Sequence, residues 1–193
     1  MRSLGATAAG VDEGLPALDA RAMPPSRVDR AWQVLHTVPD PEVPAISVTE
    51  LGIVREVIEG VPDDPGALEV VVTPTYSGCP ATEVIADAIR EALDGAGFGP
   101  VRVTQRRAPA WTTDWITPEG REKLRAYGIA PPLGNAPVGA GARVAPLRLM
   151  TRVPCPRCGS ANTERLSAFG STACKALHRC LDCLEPFEYF KPL

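Results

Sequence analysis

The chain has 193 residues, of which 45% are hydrophobic and 22% charged, with a net charge of −3 and a pI near 5.5. That length suits one domain of ordinary size, roughly 100 to 150 residues, plus a small appendage. The acidic balance excludes a general attraction for phosphate backbones or anionic membranes, and no apolar run approaches the roughly 20 residues that span a bilayer.

No hydrophobic stretch follows Arg2 to act as a signal peptide, so the cytoplasm is the expected compartment. In that reducing setting the six cysteines read as metal ligands or reactive thiols rather than disulfides.

Residues 1–26 are rich in Ala, Gly and Pro, lack apolar periodicity and are expected to form a disordered tail. Ser26 then caps a predicted helix in which Val28, Trp32, Leu35 and His36 recur at helical spacing until Pro39 stops it. The run P-D-P-E-V-P over residues 39–44 makes a rigid turn that carries Asp40 and Glu42. Residues 54–58 and 68–73 read as two antiparallel strands joined by a longer loop across 60–66.

A helix over 80–93 follows, with Val84, Ile85, Ala88, Ile89, Ala92 and Leu93 as its apolar face against the sheet. Residues 101–105 return as a strand, and 118–127 form a short helix closed by Gly128. The predicted fold is α+β, a small mixed β-sheet covered by helices across residues 27–130. Residues 131–150, with Pro, Gly and Ala and hardly any charge, read as a linker to a C-terminal unit at 151–193.

In that unit Cys155 and Cys158 form one CxxC knuckle, and Cys180 and Cys183 form another after a gap of 21 residues. Two such knuckles place four thiolates about 2.3 Å from one tetrahedral ion, the pattern of a structural zinc ribbon with no open position for chemistry. A segment this short buries too little apolar surface to fold alone, whereas structural zinc contributes roughly 10 to 16 kcal/mol in small peptides. Cys174 and His178 lie four apart and would share a helical face, but Cys180 and Cys183 are the better-spaced pair. Cys174 remains open between a functional thiol and a small buried filler. Nucleic acid is not expected as a partner, because six basic residues here face four acidic ones and metal-bound thiolates cancel that excess.

Cys79 sits in Y-S-G-C-P-A-T-E, where Gly78 permits a sharp turn and Pro80 occupies a first helical position. A thiol near a helix N-terminus is favoured as thiolate, a metal ligand or nucleophile; the alternative is a cysteine packed under the turn. Neither His36 nor His178 lies in a motif for a general base, so a cysteine hydrolase is not expected. No phosphate loop or nucleophile elbow is present. The run Trp111-Thr112-Thr113-Asp114-Trp115 puts two tryptophans after the last strand, as interface anchors or as cover for the core edge.

Together P-D-P-E-V-P, E-L-G-I-V-R, Y-S-G-C-P-A-T-E and P-A-W-T-T-D-W resemble the SufT-like iron–sulfur assembly domain family. With F-G-S-T-A-C-K-A-L and the two knuckles, the chain is similar to the accessory subunits of ring-1,2-phenylacetyl-CoA epoxidase systems in phenylacetate catabolism. The resemblance implies a non-enzymatic maturation factor for an iron–sulfur or di-iron centre, with structural zinc and a transient iron or iron–sulfur cargo. It implies as partners the di-iron oxygenase and iron–sulfur reductase of the epoxidase, and leaves a homodimer open. It implies Cys79 as cluster-handling thiol, Asp40 and Glu42 as the acidic motif, and Thr112 to Trp115 as a loop lining the same site. Where the family pattern has tyrosine, this chain has His178. Two other readings stand beside it: an adaptor docking oxygenase subunits through the ribbon and the Trp111 and Trp115 loop, and a thiol oxidoreductase pairing Cys79 with Cys174. The ribbon is also expected to present Cys174 and the aromatic Phe187, Tyr189 and Phe190 near a partner.

Overall fold

The computed structural model describes residues 24–76, 78–133 and 152–193. Nearly all of the predicted tail, and the linker from residue 134 onward, lie outside the described residues.

The first helix, α1 (Arg27–Leu35), starts where its chemistry dictates: the Ser26 hydroxyl accepts from the Asp29 amide while the Asp29 carboxylate reaches back, a complete capping box. Its Ala31 and Leu35 are fully buried. The P-D-P-E-V-P turn folds back on itself, with a bridge between Pro39 and Ser47 and the Asp40 amide donating to the Ile46 carbonyl at 2.9 Å. Strands β1 (Val54–Val61) and β2 (Asp64–Val72) form an antiparallel hairpin that is tighter than the sequence predicts. Val61 pairs with Asp64, so only Pro62 and Asp63 make the turn. Pro65 is tolerated in β2 because the pairing with the third strand begins at Leu68, beyond it.

Helix α2 (Ala81–Gly95) buries Ala81, Ile85, Ala86, Ile89 and Leu93. Val84, expected on that face, is exposed, because the buried stripe runs through Ala81, Ile85, Ile89 and Leu93 and Val84 points about 100° away from Ile85 around the helix; Pro80 sits at the N-cap. Strand β3 (Val101–Gln105) pairs parallel to β2, which gives the mixed three-stranded sheet β1-β2-β3. Helix α3 (Pro118–Tyr127) has Thr117 as N-cap and ends in left-handed Gly128. The loop before it is seated at Gly52, whose φ is +74° and where a Cβ would lie 2.6 Å from the Trp115 Cβ.

The second sheet has the order β4-β7-β6-β5, from β4 (Ile129–Ala130), β5 (Thr163–Ser167), β6 (Lys175–Cys180) and β7 (Pro186–Phe190). Strand β4, which directly follows α3, pairs parallel to β7, so the C-terminal sheet recruits a strand from the preceding unit. Cys174 and Phe190 belong to the same apolar cluster as the helices and first sheet, while Val153, Cys155, Cys180 and Phe187 form a separate small core. Among the described residues no helix is long and apolar enough to cross a membrane.

Candidate functional site

The four-cysteine set is the tighter of two sites. The Sγ atoms of Cys155, Cys158, Cys180 and Cys183 all lie within 4.8 Å of one another. Cys155 Sγ to Cys183 Sγ is 3.8 Å and Cys158 Sγ to Cys180 Sγ 3.6 Å, close to the edge of about 3.8 Å expected for a tetrahedron with metal–sulfur bonds of about 2.3 Å. The shifts within the cluster are uneven: chiefly the Cys183 amide, donating at 3.5 Å, brings the Cys180 thiol down to about 7, whereas desolvation and hydrogen bonds among the neighbouring thiols raise Cys158 and Cys183. These donors fit a bound metal ion, and Cys174 and His178 do not join them. His178 lies on β6 rather than a helix, buried between the rings of Phe187 and Tyr189 at 5.6 and 5.5 Å, and among the described residues its Nδ1 has no hydrogen-bond partner. Desolvation holds His178 below the usual imidazole range.

The other site lies where the two units meet. A narrow cavity of about 20 Å³ is lined by Asp40 and Glu42 from the acidic turn, Cys79 and Thr82 from the start of α2, and Cys174 and Phe190 from the ribbon. Cys79 reaches it because Gly78 takes a φ of +92°, a left-handed turn that costs glycine little. The Cys79 carbonyl then accepts from the Thr82 hydroxyl at 2.8 Å, closing the turn into the helix. Cys79 is half-buried, whereas Cys174 is only 5% exposed, its Sγ 3.0 Å from the Thr172 hydroxyl. Desolvation pushes the Cys174 thiol above its ordinary value.

Asp40 is 4% exposed, and its Oδ1 accepts the amides of Glu42 at 3.0 Å and Val43 at 2.8 Å. Asp40 thus caps its own turn, and it also lines the cavity. Burial nonetheless pushes Asp40 above the usual carboxylate range, and Glu42 is raised by burial and by the Asp40 charge.

Two neighbours escaped the sequence reading. Lys175, 2% exposed, pairs its Nζ with Glu188 Oε2 at 2.9 Å, and its charge opposes the upward shifts of Asp40 and Glu42. Tyr76 hydrogen-bonds to Cys79; burial and the neighbouring Cys79 push its phenol up to about 12. The only available signals were adjacency, Lys175 following Cys174 and Tyr76 preceding S-G-C, and adjacency does not encode burial.

The tryptophan loop stands behind the cavity rather than in its wall. Trp111 is 5% exposed, donates from Nε1 to the Leu51 carbonyl at 3.1 Å, and packs on Phe190 with ring centroids 5.9 Å apart. Thr112 caps a short 3₁₀ turn over Thr113–Trp115, and Thr113 is fully buried, its amide donating to the Leu193 carbonyl at 3.3 Å. Trp115 is half-buried beneath the Arg55 guanidinium, 3.6 Å from its ring centroid. Trp111 is thus an internal joint between the units, not an exposed anchor. Phe187 and Phe190, 4% and 1% exposed, are likewise core residues and present nothing to a partner.

Residues 29–104 match the model of an iron–sulfur cluster assembly protein, and residues 140–191 that of a PaaD zinc β-ribbon domain. The chain is 51% identical over 168 residues to an Escherichia coli (strain K12) protein whose name begins "Putative 1,2-phenylacetyl-CoA epoxidase" and designates one of its subunits, covering 86% of this chain and 94% of the relative. Solved structures overlap about half of the chain. A domain of unknown function from Bacillus anthracis is 21% identical, with a TM-score of 0.44, over 50% of this chain and 90% of its own. A Mycobacterium tuberculosis protein described as associated with Fe–S complex assembly and repair is 33% identical, with a TM-score of 0.31, over 57% of this chain and 94% of its own. With an iron–sulfur assembly domain followed by a four-cysteine ribbon, and with the E. coli relative matched along nearly its whole length, the chain belongs to the PaaD family.

Proposed function

We propose that the chain is an accessory maturation factor, not itself an oxygenase, that handles iron or an iron–sulfur cluster for a phenylacetyl-CoA epoxidase in aerobic phenylacetate degradation. The observation that carries this reading is the cavity between the units, which Cys79, Cys174, Asp40 and Glu42 all line. Thiols in a partly closed, carboxylate-lined cavity can hold a metal out of bulk water and yet release it, which a closed four-thiolate site cannot do. The iron–sulfur assembly match and the name of the E. coli relative support iron as the metal and the epoxidase as the recipient in this reading.

In this reading the ribbon ion is structural zinc, and the chain works in the cytoplasm beside the di-iron oxygenase and iron–sulfur reductase components. The test is co-expression of the epoxidase components with the wild-type chain or with Cys79→Ala. The expected outcome is a folded variant and metal-poor oxygenase or reductase; full metal occupancy in both components would overturn the proposal.

A further inference from the structure

We infer that Ser160, Asn162 and Asp182 form a latch between the two cysteine knuckles and are the positioning residues that retain the ribbon ion. The inference concerns the ribbon alone and does not depend on the maturation reading.

The cluster has an open side. Cys155 and Cys180 are buried, whereas Cys158 and Cys183 are exposed, so a competing ligand meets those two sulfurs first. Asp182 directly precedes Cys183 in the second knuckle, and Ser160 stands two positions after Cys158 at the end of the first. The latch is therefore built from the chain next to the two sulfurs that solvent reaches.

Three side chains close it. The Ser160 hydroxyl donates to Asp182 Oδ2 and Asn162 Nδ2 donates to Asp182 Oδ1 at 2.7 Å, so each carboxylate oxygen takes one donor. Hydrogen bonds to an ionised acceptor are the stronger class. The Ser160 hydroxyl also accepts the Asn162 amide at 3.0 Å, which fixes the two donors relative to each other. The backbone ties the same residues to both knuckles: the Ser160 carbonyl accepts the Cys155 amide at 2.9 Å, and the Asn162 carbonyl accepts the Leu181 amide at 2.8 Å.

What the latch holds still is a pair of donors to sulfur. The Ser160 amide is hydrogen-bonded to the Cys158 sulfur, and the Asp182 amide to the Cys180 sulfur. Groups that orient metal ligands from outside govern how firmly those ligands hold, and losing one costs roughly 10- to 100-fold in affinity. Tying the Ser160 and Asp182 side chains together keeps both amides on their sulfurs. Neither CxxC turn can do this by itself, because each spans only its own pair of thiols.

The experiment mixes the full, zinc-loaded chain with excess chromogenic zinc chelator under reducing conditions and follows release by absorbance. Asp182→Ala should release zinc about tenfold faster than the wild type. Ser160→Ala should also accelerate release, and combining it with Asp182→Ala should add almost nothing, because the bond it removes is already broken. Asp182→Asn can still accept from Asn162 and donate to Ser160, and should recover most of the wild-type rate. Arg179→Ala is the control: it breaks the ion pair with Glu164 between the same two strands and leaves the latch intact, so release should be unchanged.

Release from Asp182→Ala within about twofold of the wild type overturns the latch, as do effects that multiply in the double variant or an equal acceleration by Arg179→Ala. If Asp182→Ala cannot be purified with its zinc, Ser160→Ala and Asn162→Ala carry the test, and wild-type rates in both overturn it.

Discussion

The indole of Trp111 and the ring of Phe190 meet with centroids 5.9 Å apart and planes inclined by 45°, both side chains almost wholly buried. One residue follows the last strand of the assembly domain and the other closes the ribbon, so this contact joins the units directly behind the cavity. Trp111→Ala should therefore cost about 3 to 5 kcal/mol, as large-to-small changes at buried aromatics do. Urea unfolding checks this value; a loss under about 1 kcal/mol would show instead that the tryptophan is peripheral.

Lys175 and Glu188 form an ion pair with one partner at 2% and the other at 23% exposure. Removing the ammonium alone leaves Glu188, Asp40 and Glu42 facing one another, and Lys175→Met should destabilise by about 3 kcal/mol. Adding Glu188→Gln, which can still accept the Ser171 amide, should restore much of that loss. A double-mutant cycle measures the coupling, and strict additivity would mean that the pair does not act as a unit.

Strand β6 joins the two sites, since it ends at the metal-cluster cysteine Cys180 and begins directly after Cys174. Stripping the ribbon metal with a chelator should loosen β6 and β7 and bare the cavity thiol. Alkylation of Cys174 by iodoacetamide, mapped by mass spectrometry, should accelerate about tenfold or more, as local opening releases a buried thiol. An unchanged rate would mean that the cavity wall holds without the ion.

Asp40 links stability to acidity. Its folded-state pKa is raised, so its contribution is full below an unfolded value of about 3.9 and is lost as pH rises through the folded value. Asp40→Asn removes this dependence. The variant should gain on the wild type as pH increases from about 4 and level off above the folded pKa. Chemical unfolding at intervals between pH 4 and 7 follows the difference; a variant that instead loses ground with rising pH would show Asp40 held as a stabilised anion.

Local chemistry explains what the sequence alone determined. Ser26 and Asp29 start α1, Gly128 ends α3, and each CxxC knuckle presents its own pair of thiols, all within a few residues and without help from afar. The acidic turn and the Cys79 turn were likewise legible, because proline and glycine restrict or free the backbone where they stand.

The placing of Cys79 and Cys174 around one cavity, the burial of Trp111, Phe187 and Phe190, and the enclosure of Lys175 were decided only by tertiary structure. All depend on how the ribbon seats against the assembly domain, through the pairing of β4 with β7 and the packing of Phe190 on Trp111. No local period or spacing encodes that contact, because burial is a property of the surface a residue meets and not of the residues beside it in the chain.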